Sequence, residues 1–120
     1  MMDRAAMRAG RGNWTSSADM ETLLAAIAAG ACVSAESSRQ IRGALEAQQI
    51  QDWLPRRLAD GVRVANKTGN FADVIHDAGI VTWPGGTLVI VVLTQGVRPP
   101  WQAMDSIAEI AVALGRVCAE

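Results

Sequence analysis

The chain has one lysine, one histidine and two cysteines in its 120 residues. Each scarcity excludes something. With a single histidine, and with Cys32 and Cys118 far apart, no zinc-ligand spacing exists and no metal site is assigned. The two cysteines leave two readings: buried thiols, which are the default, or a Cys32–Cys118 disulfide in an oxidising compartment. No apolar run reaches the about 18 residues that a membrane helix needs. Met1 to Asn13 is polar and broken by glycine, so no secretory signal is visible. Charge of either sign is also in short supply. Eleven Lys/Arg face 12 Asp/Glu, a net charge of -1, and nothing favours nucleic acid or an anionic membrane as partner.

What is present is apolar and patterned. Half the residues are hydrophobic and 19% are charged, which excludes a disordered chain and fits at most one domain. Residues 1–13, with Arg4, Arg8 and Arg11, read as a flexible basic leader. Thr15, Ser16 and Ser17 offer helix caps, and Met20, Leu23, Leu24 and Ile27 follow at helical spacing up to a stop at Gly30. Ser34 caps a second predicted helix, which runs to Gln49 with Ile41, Ala44, Leu45 and Gln48 on its inner face. Residues 50–61 form a connector anchored by Trp53 and Leu54. A strand begins at Val62 and ends near Lys67, with residues 70–73 turning the chain. Val74 to Trp83 is a second strand, Pro84-Gly85-Gly86 a hairpin, and Thr87 to Thr94 a third strand. The core of that third strand, Leu88 to Leu93, is wholly apolar and suits burial on both faces. Pro99-Pro100 opens a last helix with Ala103, Ile107, Ile110, Ala111, Leu114 and Val117 on one side. The fold class is α+β: an antiparallel three-stranded sheet with flanking helices.

The lone lysine closes the run Val64-Ala65-Asn66-Lys67-Thr68-Gly69. A strand carrying Lys-Thr-Gly, followed by Asp77 and a Trp83-Pro84-Gly85-Gly86 hairpin, resembles the class A β-lactamase-related serine hydrolases, the penicillin-recognising enzymes. The resemblance runs from Asn13 to the end. It takes in the polar cap Asn13 to Met20, the helix pair Leu23 to Gln49, the strands His76 to Pro84 and Leu88 to Thr94, and the helix Pro100 to Cys118. It implies that residues 14–120 are the C-terminal part of such a domain, and that the three strands belong to a larger β-lactamase-like sheet.

The resemblance also assigns roles. Lys67 would bring positive charge to a substrate carboxylate, and Thr68 a hydroxyl to the same group. Gly69 would let the substrate approach the backbone. The N–H of Asn70 would be an oxyanion-hole donor. No cofactor is implied. The family's nucleophile lies in Ser-x-x-Lys, and with Lys67 as sole lysine that motif needs a serine at position 64, which is Val64. No Ser-Asp-Asn occurs either, and no glutamate matches the deacylating one. The expected function is therefore a C-terminal fragment of a β-lactamase-like hydrolase, acting on a β-lactam or related amide or ester when an N-terminal half completes it, and inactive alone. The alternative is a non-catalytic binding or assembly module, or an inactive remnant. His76 and Asp77, adjacent on a strand, point to opposite faces and favour structural roles. Arg98 reads as a solvated loop arginine, and Trp14, Trp53, Trp83 and Trp101 as packing residues. Full-length relatives are usually exported, but this sequence leaves compartment open. In the family, N-terminal strands pair beside the last strand, so self-association through the 87–94 edge is expected of this chain.

Overall fold

The computed structural model describes residues 4–12 and 14–118. Leader positions 1–3, Asn13 of the polar cap and residues 119–120 lie outside the described residues. The elements run α1 (Arg4–Arg8), α2 (Ser17–Ala28), α3 (Ala35–Glu46), β1 (Arg63–Phe71), β2 (Val74–Trp83), β3 (Gly86–Gln95) and α4 (Pro100–Cys118). The sequence reading placed no element before Trp14. The chain forms α1 there, a helix that buries no residue.

Caps fix both helices of the first pair. The Ser16 hydroxyl accepts from the Asp19 N–H at 3.1 Å, and the Ser34 hydroxyl from the Ser37 N–H at 3.0 Å. Gly30, at φ +73°, ends α2, and the Ala31 N–H reaches back to the Ala26 carbonyl at 2.8 Å. Helix α3 stops at Glu46, short of the expected Gln49. Gln48 has left the helix: its amide donates to the Ile50 carbonyl at 3.0 Å, and its side-chain oxygen accepts the Ile50 N–H at 2.9 Å. Ala44, expected on the inner face, is exposed, and Ser38 is the buried residue of this helix.

The sheet is antiparallel in the order β1-β2-β3. Strand β1 does not end at Lys67. It continues through Thr68, Gly69 and Asn70 to Phe71, which pairs with Val74. Ala72, at φ +53°, takes the left-handed position that this short turn requires. Both faces of the sheet are covered. On one, Ile75, Val81 and Ile90 pack with Ala103, Ile107 and Ala111 of α4 and with Trp53 and Leu54 of the connector. On the other, Ala65, Ala78 and Ile80 pack with Leu24 and Ile27 of α2. The all-apolar β3 is explained by this double cover. Arg57 holds the connector to α4 through Asp105 at 2.6 Å and Glu109 at 3.2 Å.

Helix α4 is rotated from the expected setting. Its buried residues are Ala103, Ile107, Ala108, Ala111 and Gly115, whereas Ile110, Leu114 and Val117 are 39%, 37% and 70% exposed. Small residues let the helix come close to the sheet: a Cβ on Gly115 would lie 2.8 Å from the Trp83 indole. Trp53 is buried and Trp83 half-buried, but Trp14 and Trp101 are exposed and do not pack as expected. Cys32 and Cys118 are both free thiols.

Candidate active-site strand

Strand β1 is an edge strand, and it presents Lys67-Thr68-Gly69 midway along its length. The pleat sends Lys67 and Thr68 to opposite faces. Thr68 shares its face with Asn66 and Asp77, since Thr68 pairs with Asp77 and Asn66 with Gly79. Lys67 is exposed, and its Nζ hydrogen-bonds the neighbouring Thr68 carbonyl. No carboxylate lies within ion-pair distance of it among the described residues, although its charge acts on the buried Asp77. Thr68 is almost wholly buried.

The two glycines near this strand differ in an informative way. At Gly79 a Cβ would meet the Ala65 carbonyl and the Asn66 Cβ, each at 2.8 Å, so the fold itself requires glycine there. At Gly69 the nearest atom to an added Cβ is the His76 Cβ at 3.9 Å, an ordinary contact. Its φ is not in the left-handed region. Nothing in the fold asks for glycine at 69. Asn70, the expected oxyanion donor, is exposed one residue further along the same strand.

Behind the strand lies a buried polar chain that the sequence reading did not assemble. Asn66 and Asp77 are fully buried. The Asn66 amide donates to both Asp77 carboxylate oxygens at 3.1 Å, and the Leu54 N–H donates to Asp77 Oδ2 at 3.0 Å. The Gln48 amide donates to Asn66 Oδ1 at 2.8 Å. Burial pushes the Asp77 carboxyl above its ordinary value, against the lowering effect of the Leu54 and Asn66 hydrogen bonds and of the Lys67 charge. This chain fixes the residue immediately before Lys67 to the connector and to the end of α3. The sequence signal was available: two polar residues, Asn66 and Asp77, at interior positions of otherwise apolar strands must be bonded if buried. His76 and Asp77 do not bond to each other; His76 Nδ1 accepts the Thr94 N–H at 3.0 Å. Among the described residues no cluster of His, Cys, Asp and Glu can hold a metal, and no helix is long and apolar enough to cross a membrane.

The model of the beta-lactamase enzyme family matches residues 1–117. The chain belongs to that family. The match also takes in residues 1–12, ahead of the Asn13 at which the sequence resemblance began. Among solved structures, a beta-lactamase from Sphaerobacter thermophilus is 29% identical and superposes with a TM-score of 0.84, over 90% of this chain and 42% of that one. A beta-lactamase from Chitinophaga pinensis is also 29% identical, with a TM-score of 0.77, over 90% of this chain and 43% of the other. TLA-3 extended-spectrum beta-lactamase, at 23% identity, shares the fold with a TM-score of 0.84 over 92% of this chain and 44% of its own. No curated protein matches the chain. The 120 residues thus span less than half the length of these beta-lactamases.

Proposed function

We propose that this chain supplies the substrate-binding strand of a serine hydrolase acting on β-lactams or related amides and esters. The observation that carries the reading is the combination of an exposed Lys67 without an ion pair among the described residues and a glycine at 69 that the fold does not need. Lys67 binds the substrate carboxylate at the edge of the strand. Gly69 leaves room for the substrate to lie along the strand. The Asn70 N–H donates to the oxyanion that forms as the carbonyl is attacked. Nucleophile and bases come from a further segment, because the 120 residues contain no Ser-x-x-Lys and no Ser-Asp-Asn. Without them, only binding and oxyanion stabilisation remain.

That same lack favours a second reading, a module that binds a carboxylate ligand without turnover. One experiment separates the two. A chromogenic β-lactam is incubated with the chain alone, and with the chain joined behind the N-terminal part of the Sphaerobacter thermophilus beta-lactamase. The hydrolase reading expects no turnover by the chain alone and acyl-serine turnover by the joined protein. Ligand binding by the chain, with a folded but inactive joined protein, supports the binding module instead.

A further inference from the structure

His76 is the chain's one histidine, half-buried on β2. It lies directly across from Gly69. Residues opposite each other in an antiparallel pair share a face, and a Cβ added at Gly69 would meet the His76 Cβ at 3.9 Å. Lys67, two residues before Gly69, stands on that same face. Lys67 pairs with Ala78, so His76 is its diagonal neighbour. Diagonal neighbours are about 7–8 Å apart, a gap that long and aromatic side chains bridge. Because residue 69 is glycine, no side chain stands between His76 and the edge of β1.

The ring is oriented from the other neighbouring strand. His76 Nδ1 accepts the Thr94 N–H of β3 at 3.0 Å, and the Thr94 hydroxyl donates to the Ile75 carbonyl at 2.6 Å. An accepting nitrogen carries no proton, so the neutral ring is protonated at Nε2. The two ring nitrogens point well over a right angle apart, which directs Nε2–H away from β3. That N–H has no hydrogen-bond partner among the described residues. A donor held in one tautomer thus neighbours a cation that has no carboxylate within ion-pair distance among those residues. Together they suit a ligand group with charge and two acceptor oxygens.

We propose that His76 is a further substrate-contacting residue of the β1 site, its Nε2–H donating to one oxygen of the carboxylate whose other oxygen Lys67 binds. The inference rests on the proposed carboxylate-binding role of Lys67 and holds whether or not turnover follows. Lys67 supplies charge on a flexible stem, and His76 supplies direction from a ring fixed by Thr94. The pair selects ligands by a free carboxylate, because an ester lacks the charge that draws the group to Lys67.

A single histidine makes the test direct. The whole chain, with nitrogen-15 in its histidine ring and backbone, is titrated by NMR with benzylpenicillin and with its methyl ester at mildly alkaline pH. The free chain is expected to show Nε2 protonated and Nδ1 bare. Benzylpenicillin is expected to shift the Nε2 signal saturably, together with the amides of residues 67–70, and the methyl ester to leave Nε2 in place. His76→Asn keeps an acceptor for the Thr94 N–H and removes only the outer donor. It is expected to weaken benzylpenicillin binding by about tenfold at an unchanged urea midpoint. If the 67–70 amides shift while Nε2 does not, His76 is structural: the inference falls and the role of Lys67 stands. If neither shifts, both fall. A free ring protonated at Nδ1, equal Nε2 shifts with acid and ester, or undiminished binding by His76→Asn also overturns the inference.

Discussion

At the scale of single residues, the clearest contrast is between glycines that serve the fold and one that does not. Gly79→Ala drives a Cβ to 2.8 Å from Ala65 and Asn66 and is expected to cost about 1–3 kcal/mol in urea denaturation. Gly69→Ala meets only the His76 Cβ at 3.9 Å and is expected to leave stability nearly unchanged while impairing ligand binding at β1. Asp77 offers a second test. Its carboxyl is raised by burial, so the native state holds a proton that the unfolded chain releases near 3.8. Stability from this group is full below that value and is lost as pH rises through the raised native value. Asp77→Asn keeps an oxygen for the Leu54 N–H. It is expected to flatten the fall in urea stability between acid and neutral pH relative to wild type. Asp77→Ala strands the Leu54 N–H and the Asn66 amide and is expected to cost about 1–3 kcal/mol for each. The sequence disclosed Lys67, Thr68, Gly69 and Asn70, which carry a recognisable order. It did not disclose that Gln48, Asn66 and Asp77 form one chain, because that depends on α3 ending early and on β1 pairing register.

At the scale of elements, helix ends were legible because capping is local chemistry. Ser16 and Ser34 each satisfy an N–H three residues on, and either one changed to Ala is expected to cost about 1 kcal/mol by thermal or urea unfolding. The setting of α4 was not legible. Its large residues Ile110, Leu114 and Val117 follow the same helical period as its true inner face. Size argued for burying them, but the small residues Ala108, Ala111 and Gly115 allow the closer approach. Gly115→Ala, pressing on the Trp83 indole, is expected to destabilise by about 1–3 kcal/mol, detectable as a lowered urea midpoint. The end of β1 was misplaced for a related reason. Residues 70–73 read as a turn, yet Thr68, Gly69 and Asn70 pair in register with Asp77, His76 and Ile75. The strand therefore carries the whole motif rather than ending at it.

At the scale of the whole molecule, the chain is spread more widely than a closed domain. Its radius of gyration is 15.0 Å, with extents of 46 × 37 × 24 Å. A compact domain of this length has a radius of about 13.5 Å. Helix α1 stands off the core, and both sheet edges are open. The α+β class and the three-stranded antiparallel sheet followed from the order of elements. The belonging to a larger sheet was carried by the family motif, and the 42–44% coverage of the related beta-lactamases accords with it.

The central claim is that Lys67 binds and polarises substrate for a nucleophile supplied from elsewhere. The most direct measurement is kcat/KM for a chromogenic β-lactam with the chain joined behind the N-terminal part of the Sphaerobacter thermophilus beta-lactamase, comparing wild type with Lys67→Ala. Lys67 is exposed and lacks an ion pair among the described residues, so its removal leaves the fold intact. The account predicts a loss of about a hundredfold or more at unchanged melting temperature. Equal activity in both proteins would contradict it.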